Sequence, residues 1–176
     1  SPQNEINQPK AQESINRNIS EEELKIIYKN DDETLAYVEP FLGKTAPDIK
    51  FKDLEGNIYN IKDYRGKNIV VEFMGTWCPV CEDSVPLVKE FENSEPQIPV
   101  LSIAYRDTKE DLSTYIEKHD LQNTFLADDD DEIKRLYQFK YVPTYFFIDK
   151  EGVVQFISIG ELLEEQLKNL VDMSFN

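Results

Sequence analysis

The feature that narrows the possibilities most is Cys78-Pro79-Val80-Cys81, set just after the apolar run Ile69-Val70-Val71-Glu72-Phe73-Met74 and a Gly75-Thr76-Trp77 turn. An almost continuously apolar run of this length reads as a strand buried on both faces. Val85, Leu87, Val88 and Phe91 follow the cysteines at spacings that put most of them along one helical face. A strand that turns directly into a helix places the first sulfur beside unpaired backbone N–H groups and the positive end of the helix dipole. Those groups favour thiolate over thiol, which points to Cys78 as the exposed nucleophile. Cys81, one turn on and facing inward, is placed to resolve a mixed disulfide by attacking Cys78. Pro79 suits the first helical turn, where its missing N–H is not needed, whereas Pro86 is expected to kink the helix further along. Neither Pro79 nor Val80 carries charge, so less thiolate stabilisation is expected than where a cation lies between the sulfurs.

The rest of the pattern surrounds this point with alternating elements. Ile49 and Phe51 alternate with polar residues, Glu55-Gly56-Asn57 supplies a turn and Ile58 to Ile61 return, which predicts a β-hairpin ahead of the buried strand. Strands are expected over Pro99–Tyr105 and Phe125–Ala127, and a second hairpin pairs Tyr145–Ile148 with Val153–Ile159 around Lys150-Glu151-Gly152. Helical stripes are carried by Leu112, Tyr115 and Ile116 behind a Thr108/Asp111 capping pair, by Ile133, Leu136 and Tyr137, and by Leu163, Leu167, Leu170 and Val171. This order implies an α/β domain whose central sheet is covered on both faces. At 176 residues there is room for one such domain and an appendage. Residues 1–19, rich in Asn, Gln, Pro and Ser and without an aromatic, read as a flexible tether. Residues 20–42 read as a helical arm opened by Ser20 and Glu23, striped by Leu24, Ile27 and Tyr28, and ended by Asn30 and the acidic cluster Asp31 to Glu33. Residues 43–176 are left for the domain.

A formal net charge of −16 repels phosphate backbones and anionic headgroups, which argues against nucleic-acid binding. No run approaches the roughly 18 apolar residues of a membrane span. The chain has no third cysteine, so a multi-disulfide scaffold is excluded. A zinc site needs about four ligands, and beside the cysteines only His119 is available, so no metal is expected. A purely structural disulfide closing so short a loop would add little stability. His119 ends a helix, where pairing with the dipole is its ordinary role, and Asp128 to Asp131 lack the glycine and trailing glutamate of a calcium loop, so they read as an acidic helix start. Glu72 has two readings: a carboxylate in an apolar strand has a raised pKa that suits a proton acceptor near neutral pH, or it is satisfied by a buried partner and takes no part in the chemistry.

Four segments extend the argument beyond the cysteines: Gly43-Lys44-Thr45-Ala46-Pro47-Asp48, Asp63-Tyr64-Arg65-Gly66-Lys67, Gly75 to Cys81, and Val142-Pro143-Thr144. With these at their spacings, the chain from about Gly43 to its end resembles the thioredoxin superfamily, particularly the extracytoplasmic, membrane-tethered proteins of the TlpA and ResA type. The resemblance implies a thioredoxin-like fold, a central mixed sheet flanked by helices with an N-terminal hairpin extension. It implies thiol–disulfide exchange with protein thiols or disulfides, no cofactor, a monomer, and an extracytoplasmic or membrane-bound electron donor or acceptor. By position, Pro143 matches the cis-proline facing the active-site sulfurs, and Val142 offers its backbone to a bound substrate strand. Trp77 matches the aromatic flanking the nucleophile, and Pro79 lies with them on the substrate-binding side. Glu72 matches the buried carboxylate that assists proton transfer at the second cysteine. ResA-like proteins usually carry a Glu three residues after the second cysteine, where this chain has Ser84. A peroxidase of the peroxiredoxin type would require Thr and Pro three and seven residues before the reactive cysteine, where Gly75 and Val71 stand. Three readings remain open here: a reductase, favoured because the dipeptide lacks a cation; an oxidase that installs disulfides in exported proteins; and a binding module without turnover.

Overall fold

The structure, a computed structural model, describes Ser20, Glu22, Tyr28, residues 31–127 and residues 130–176. The tether read over residues 1–19 and most of the helix read from Ser20 lie outside the described residues, as do Asp128 and Asp129. The acidic cluster expected to end a helix begins one. Helix α1 spans Asp32–Val38, and Asp31 is its N-cap, accepting the backbone N–H groups of Glu33 at 3.1 Å and Thr34 at 3.2 Å. Carboxylates suit this end because the unpaired amides and positive dipole lie there. Val38 and Leu42 are then fully buried in the main core, so this stretch packs against the sheet.

The described residues form a seven-stranded mixed sheet. Its strands are β1 (Lys50–Lys52), β2 (Ile58–Asn60), β3 (Ile69–Met74), β4 (Val100–Ala104), β5 (Thr124–Ala127), β6 (Thr144–Ile148) and β7 (Val154–Ile159), in the order β2-β1-β5-β4-β3-β6-β7. β4 is parallel to β3 and β5, and every other pairing is antiparallel. All six residues of β3 are buried, as a continuously apolar central strand requires. The N-terminal hairpin forms as expected, shorter by a residue at each outer end, because Ile61 turns into a 3-10 segment, Ile61–Tyr64.

The two sheet faces differ in what covers them. On one, Phe73 stacks on Phe139 at 4.6 Å between ring centroids and meets Tyr137 of α5 (Asp130–Tyr137) at 5.0 Å. On the other, Met74, Ala104 and Leu126 pack against both cysteines, Val85, and Leu112 and Tyr115 of α4 (Lys109–His119). The Cys81 helix is interrupted: α2 covers Pro79–Asp83, Ser84 intervenes, and α3 runs Val85–Ser94. The kink expected at Pro86 is therefore a break two residues earlier. Pro86 has no N–H to give the Glu82 carbonyl, and the Ser84 hydroxyl caps the turn by donating to the Val80 carbonyl at 2.9 Å. Helix α6 (Glu164–Phe175) closes the chain. No helix among the described residues is long and apolar enough to cross a membrane.

Candidate active site

Cys78 is the N-cap of α2, with Pro79 in its first turn. Its sulfur accepts the backbone N–H of Cys81 at 3.2 Å. Opposite, the Cys78 thiol faces the Val142 carbonyl at 3.6 Å, and the Val142–Pro143 peptide bond is cis. Both cysteines are free thiols. Sequence reasoning expected an exposed Cys78. The residue is only 6% accessible, because the loop carrying Val142 folds over it from 64 positions away. Cys81 is 3% accessible; burial, with the Cys78 sulfur beside it, pushes its thiol well above the ordinary range. A buried thiol that resists ionisation needs a base nearby to act as a nucleophile.

Glu72 lies on the sheet face that carries the cysteines, between Ser102 on β4 and Tyr145 on β6. Burial pushes its carboxyl up to about 7, with the Tyr145 and Ser102 hydroxyls opposing the shift and the Glu92 charge adding to it. Its charge acts on the Cys81 thiol. The carboxyl thus changes protonation near neutrality, within electrostatic reach of the resolving sulfur.

The turn before Cys78 is held in part by Asp107, a residue the sequence did not single out. Asp107, just beyond β4, accepts the Thr76 backbone N–H at 3.0 Å and also the Thr76 hydroxyl. The Trp77 indole N–H donates to the Tyr105 carbonyl at 3.0 Å while the residue stays 57% exposed. Gly75 allows this ring position, since a Cβ there would lie 2.5 Å from the indole. Trp77 and Val80, which flank Cys78-Pro79 in the chain, are exposed, as is Tyr141 next to Val142. Tyr141 was not singled out, although its neighbour Val142 belongs to the motif that faces Cys78. Glu82, next after Cys81, is paired with Lys118 at 2.6 Å and lies 3.0 Å from His119 Nε2; these partners hold its carboxyl below the usual range. His119 is thereby engaged away from the sulfurs.

The family model described as the AhpC/TSA family matches residues 42–157, well over half of the chain. The chain belongs to the AhpC/TSA family. Within it, the chain stands among the thioredoxin-like thiol–disulfide oxidoreductases. It is 33% identical over 129 residues to the thiol-disulfide oxidoreductase ResA of Geobacillus thermodenitrificans, covering 72% of this chain and 74% of that protein. Among solved structures, a thioredoxin-family thiol:disulfide interchange protein of Chlorobium tepidum superposes with a TM-score of 0.66 at 20% identity, covering 74% of this chain and 95% of that one. An exposed lipoprotein thioredoxin of Streptococcus pneumoniae superposes with a TM-score of 0.62 at 24% identity, covering 72% and 99%. The two structures show that this AhpC/TSA member has the thioredoxin-like fold.

Proposed function

We propose that this oxidoreductase reduces disulfides in protein substrates outside the cytoplasm, using Cys78 and Cys81. The observation that carries the reading is the Cys78 sulfur itself. It receives the Cys81 amide at the start of a helix and faces the Val142 carbonyl beside cis-Pro143. The Cys78 thiolate attacks a substrate disulfide, forming a mixed disulfide and releasing one substrate sulfur as thiolate. Cys81 then attacks the Cys78 sulfur, the second substrate sulfur leaves, and the proton from Cys81 passes to Glu72. The chain ends as a disulfide and is reduced again by an extracytoplasmic or membrane-bound donor. Trp77, Pro79, Val142 and Pro143 form the substrate side; the Val142 backbone pairs with an extended substrate strand and Trp77 packs beside it.

The reductive direction is supported by the uncharged Pro79-Val80 pair, which adds no cation to stabilise the reduced thiolate. Location outside the cytoplasm is supported by the likeness to ResA and to the pneumococcal exposed lipoprotein. Residues 1–19 then act as a tether and residues 20–42 as an arm joining it to the domain. A Cys81→Ala variant mixed with disulfide-containing proteins tests the exchange. Mixed disulfides through Cys78 accumulate if the chain turns over, and their absence would mean a domain that binds without exchange.

A further inference from the structure

Across the sheet face that carries the cysteines runs a row of register-paired polar residues: Thr124 on β5, Ser102 on β4, Glu72 on β3, Tyr145 on β6 and Ser158 on β7. The next row on the same face is apolar throughout, with Val100, Val70, Phe147 and Phe156. The polar row is therefore not a general property of this surface. Its first four members are buried. Side chains directly opposite in an antiparallel pair share a face, with Cβ atoms roughly 4.5 to 5.5 Å apart, so Tyr145 and Glu72 are immediate neighbours.

The Tyr145 hydroxyl is buried and makes no hydrogen bond of full geometry on the protein, yet it is close enough to Glu72 and Ser84 to interact with both. A buried hydroxyl normally finds an acceptor, and leaving one without is costly. Its surroundings offer Glu72, Ser84 and Cys81. The Ser84 oxygen, whose proton goes to the Val80 carbonyl, and the Cys81 sulfur are neutral and weaker acceptors, whereas Glu72 becomes a strong acceptor when it loses its proton. Resting on the Glu72 role proposed above, we infer that Tyr145 is a positioning residue for proton transfer: its hydroxyl donates to the ionised Glu72 carboxylate and holds it ready for the Cys81 proton. In that step the bond between Cys78 and the substrate sulfur breaks. The substrate sulfur leaves with the electron pair, the Cys78–Cys81 bond forms, and the proton from Cys81 ends on Glu72. The groups acting on Glu72 from the elements around it are Tyr145 of β6, Ser102 of β4, Cys81 of α2, Tyr115 of α4 and Glu92 of α3. Ser102 remains as a donor when Tyr145 is changed, so the expected effect is a shift rather than a loss.

The test titrates the Glu72 carboxyl carbon by NMR in the full reduced chain and in Tyr145→Phe, alongside the pH profile of insulin-disulfide reduction by each and by Glu72→Gln. A donor lost from a carboxylate raises its pKa. The Glu72 midpoint is expected to move up by roughly one unit in Tyr145→Phe, with the rising limb of the rate profile moving alongside it and the limb lost in Glu72→Gln. An unmoved midpoint in Tyr145→Phe overturns the inference and leaves the Glu72 role standing if Glu72→Gln still loses its limb. A limb retained in Glu72→Gln overturns the Glu72 role and this inference with it. Tyr145→Leu, which also lacks the hydroxyl, carries the same expectation should the Phe variant fail to fold.

Discussion

Burial of the Glu72 carboxyl makes the stability of the folded chain depend on pH. The carboxyl titrates at about 7 in the folded chain against an ordinary value of 4.5. Below 4.5 both the folded and unfolded chains hold the proton. Between 4.5 and about 7 the unfolded chain releases it while the folded chain does not, so stability falls as pH rises through this window and then levels off. Glu72→Gln removes this loss. Chemical denaturation is expected to find the variant more stable than the parent by about 3 kcal/mol at pH 8, with the advantage gone at about pH 4. An equal difference at both pH values would contradict the raised pKa. Gly75 makes the opposite kind of contribution, since its missing side chain lets the indole of Trp77 reach the Tyr105 carbonyl. Gly75→Ala is expected to displace the ring, red-shift the emission of this sole tryptophan and slow disulfide exchange. Unchanged emission would show that the ring does not depend on the glycine.

At the scale of elements, the apolar strands and the Thr108-capped helix are legible from sequence because burial on both faces and side-chain capping leave local patterns. Contacts between elements leave none. Asp107 reaches Thr76 across 31 residues, and the Val142 loop covers Cys78 across 64. Their neighbourhood with the cysteines is legible only where a motif supplies it, as Val142-Pro143 does and Asp107 does not. Asp107→Ala frees the Thr76 amide and hydroxyl and loosens the turn that aims Cys78. It is expected to cost about 1–2 kcal/mol of stability and to slow exchange more than the stability loss explains. Equal effects on both would reduce Asp107 to an ordinary capping residue. The acidic run at Asp31 illustrates a different limit: local charge marks a helix end, and the side-chain bond decides which end.

For the whole molecule, the described residues just before Gly43 share one core with the sheet. Val38 and Leu42 are fully buried beside strand residues, the Gly43 amide donates to the Val154 carbonyl at 2.8 Å, and Thr45 bridges to Val153. Leu42→Ala is accordingly expected to destabilise the entire domain by about 2–5 kcal/mol in a single transition. A loss of protection confined to residues before Gly43 in hydrogen exchange would contradict this shared core. This packing was hidden from sequence because Leu42 lies in a turn beyond α1, where no periodicity points to the core. The claim on which the molecule's chemistry depends is that its two sulfurs form one reversible couple poised for reduction. Equilibrating the full chain with glutathione buffers and trapping free thiols by alkylation measures this directly. A single two-electron transition near thioredoxin's value of about −270 mV is predicted; a value near about −120 mV would contradict the reductive direction, and two cysteines that never pair would contradict the couple itself.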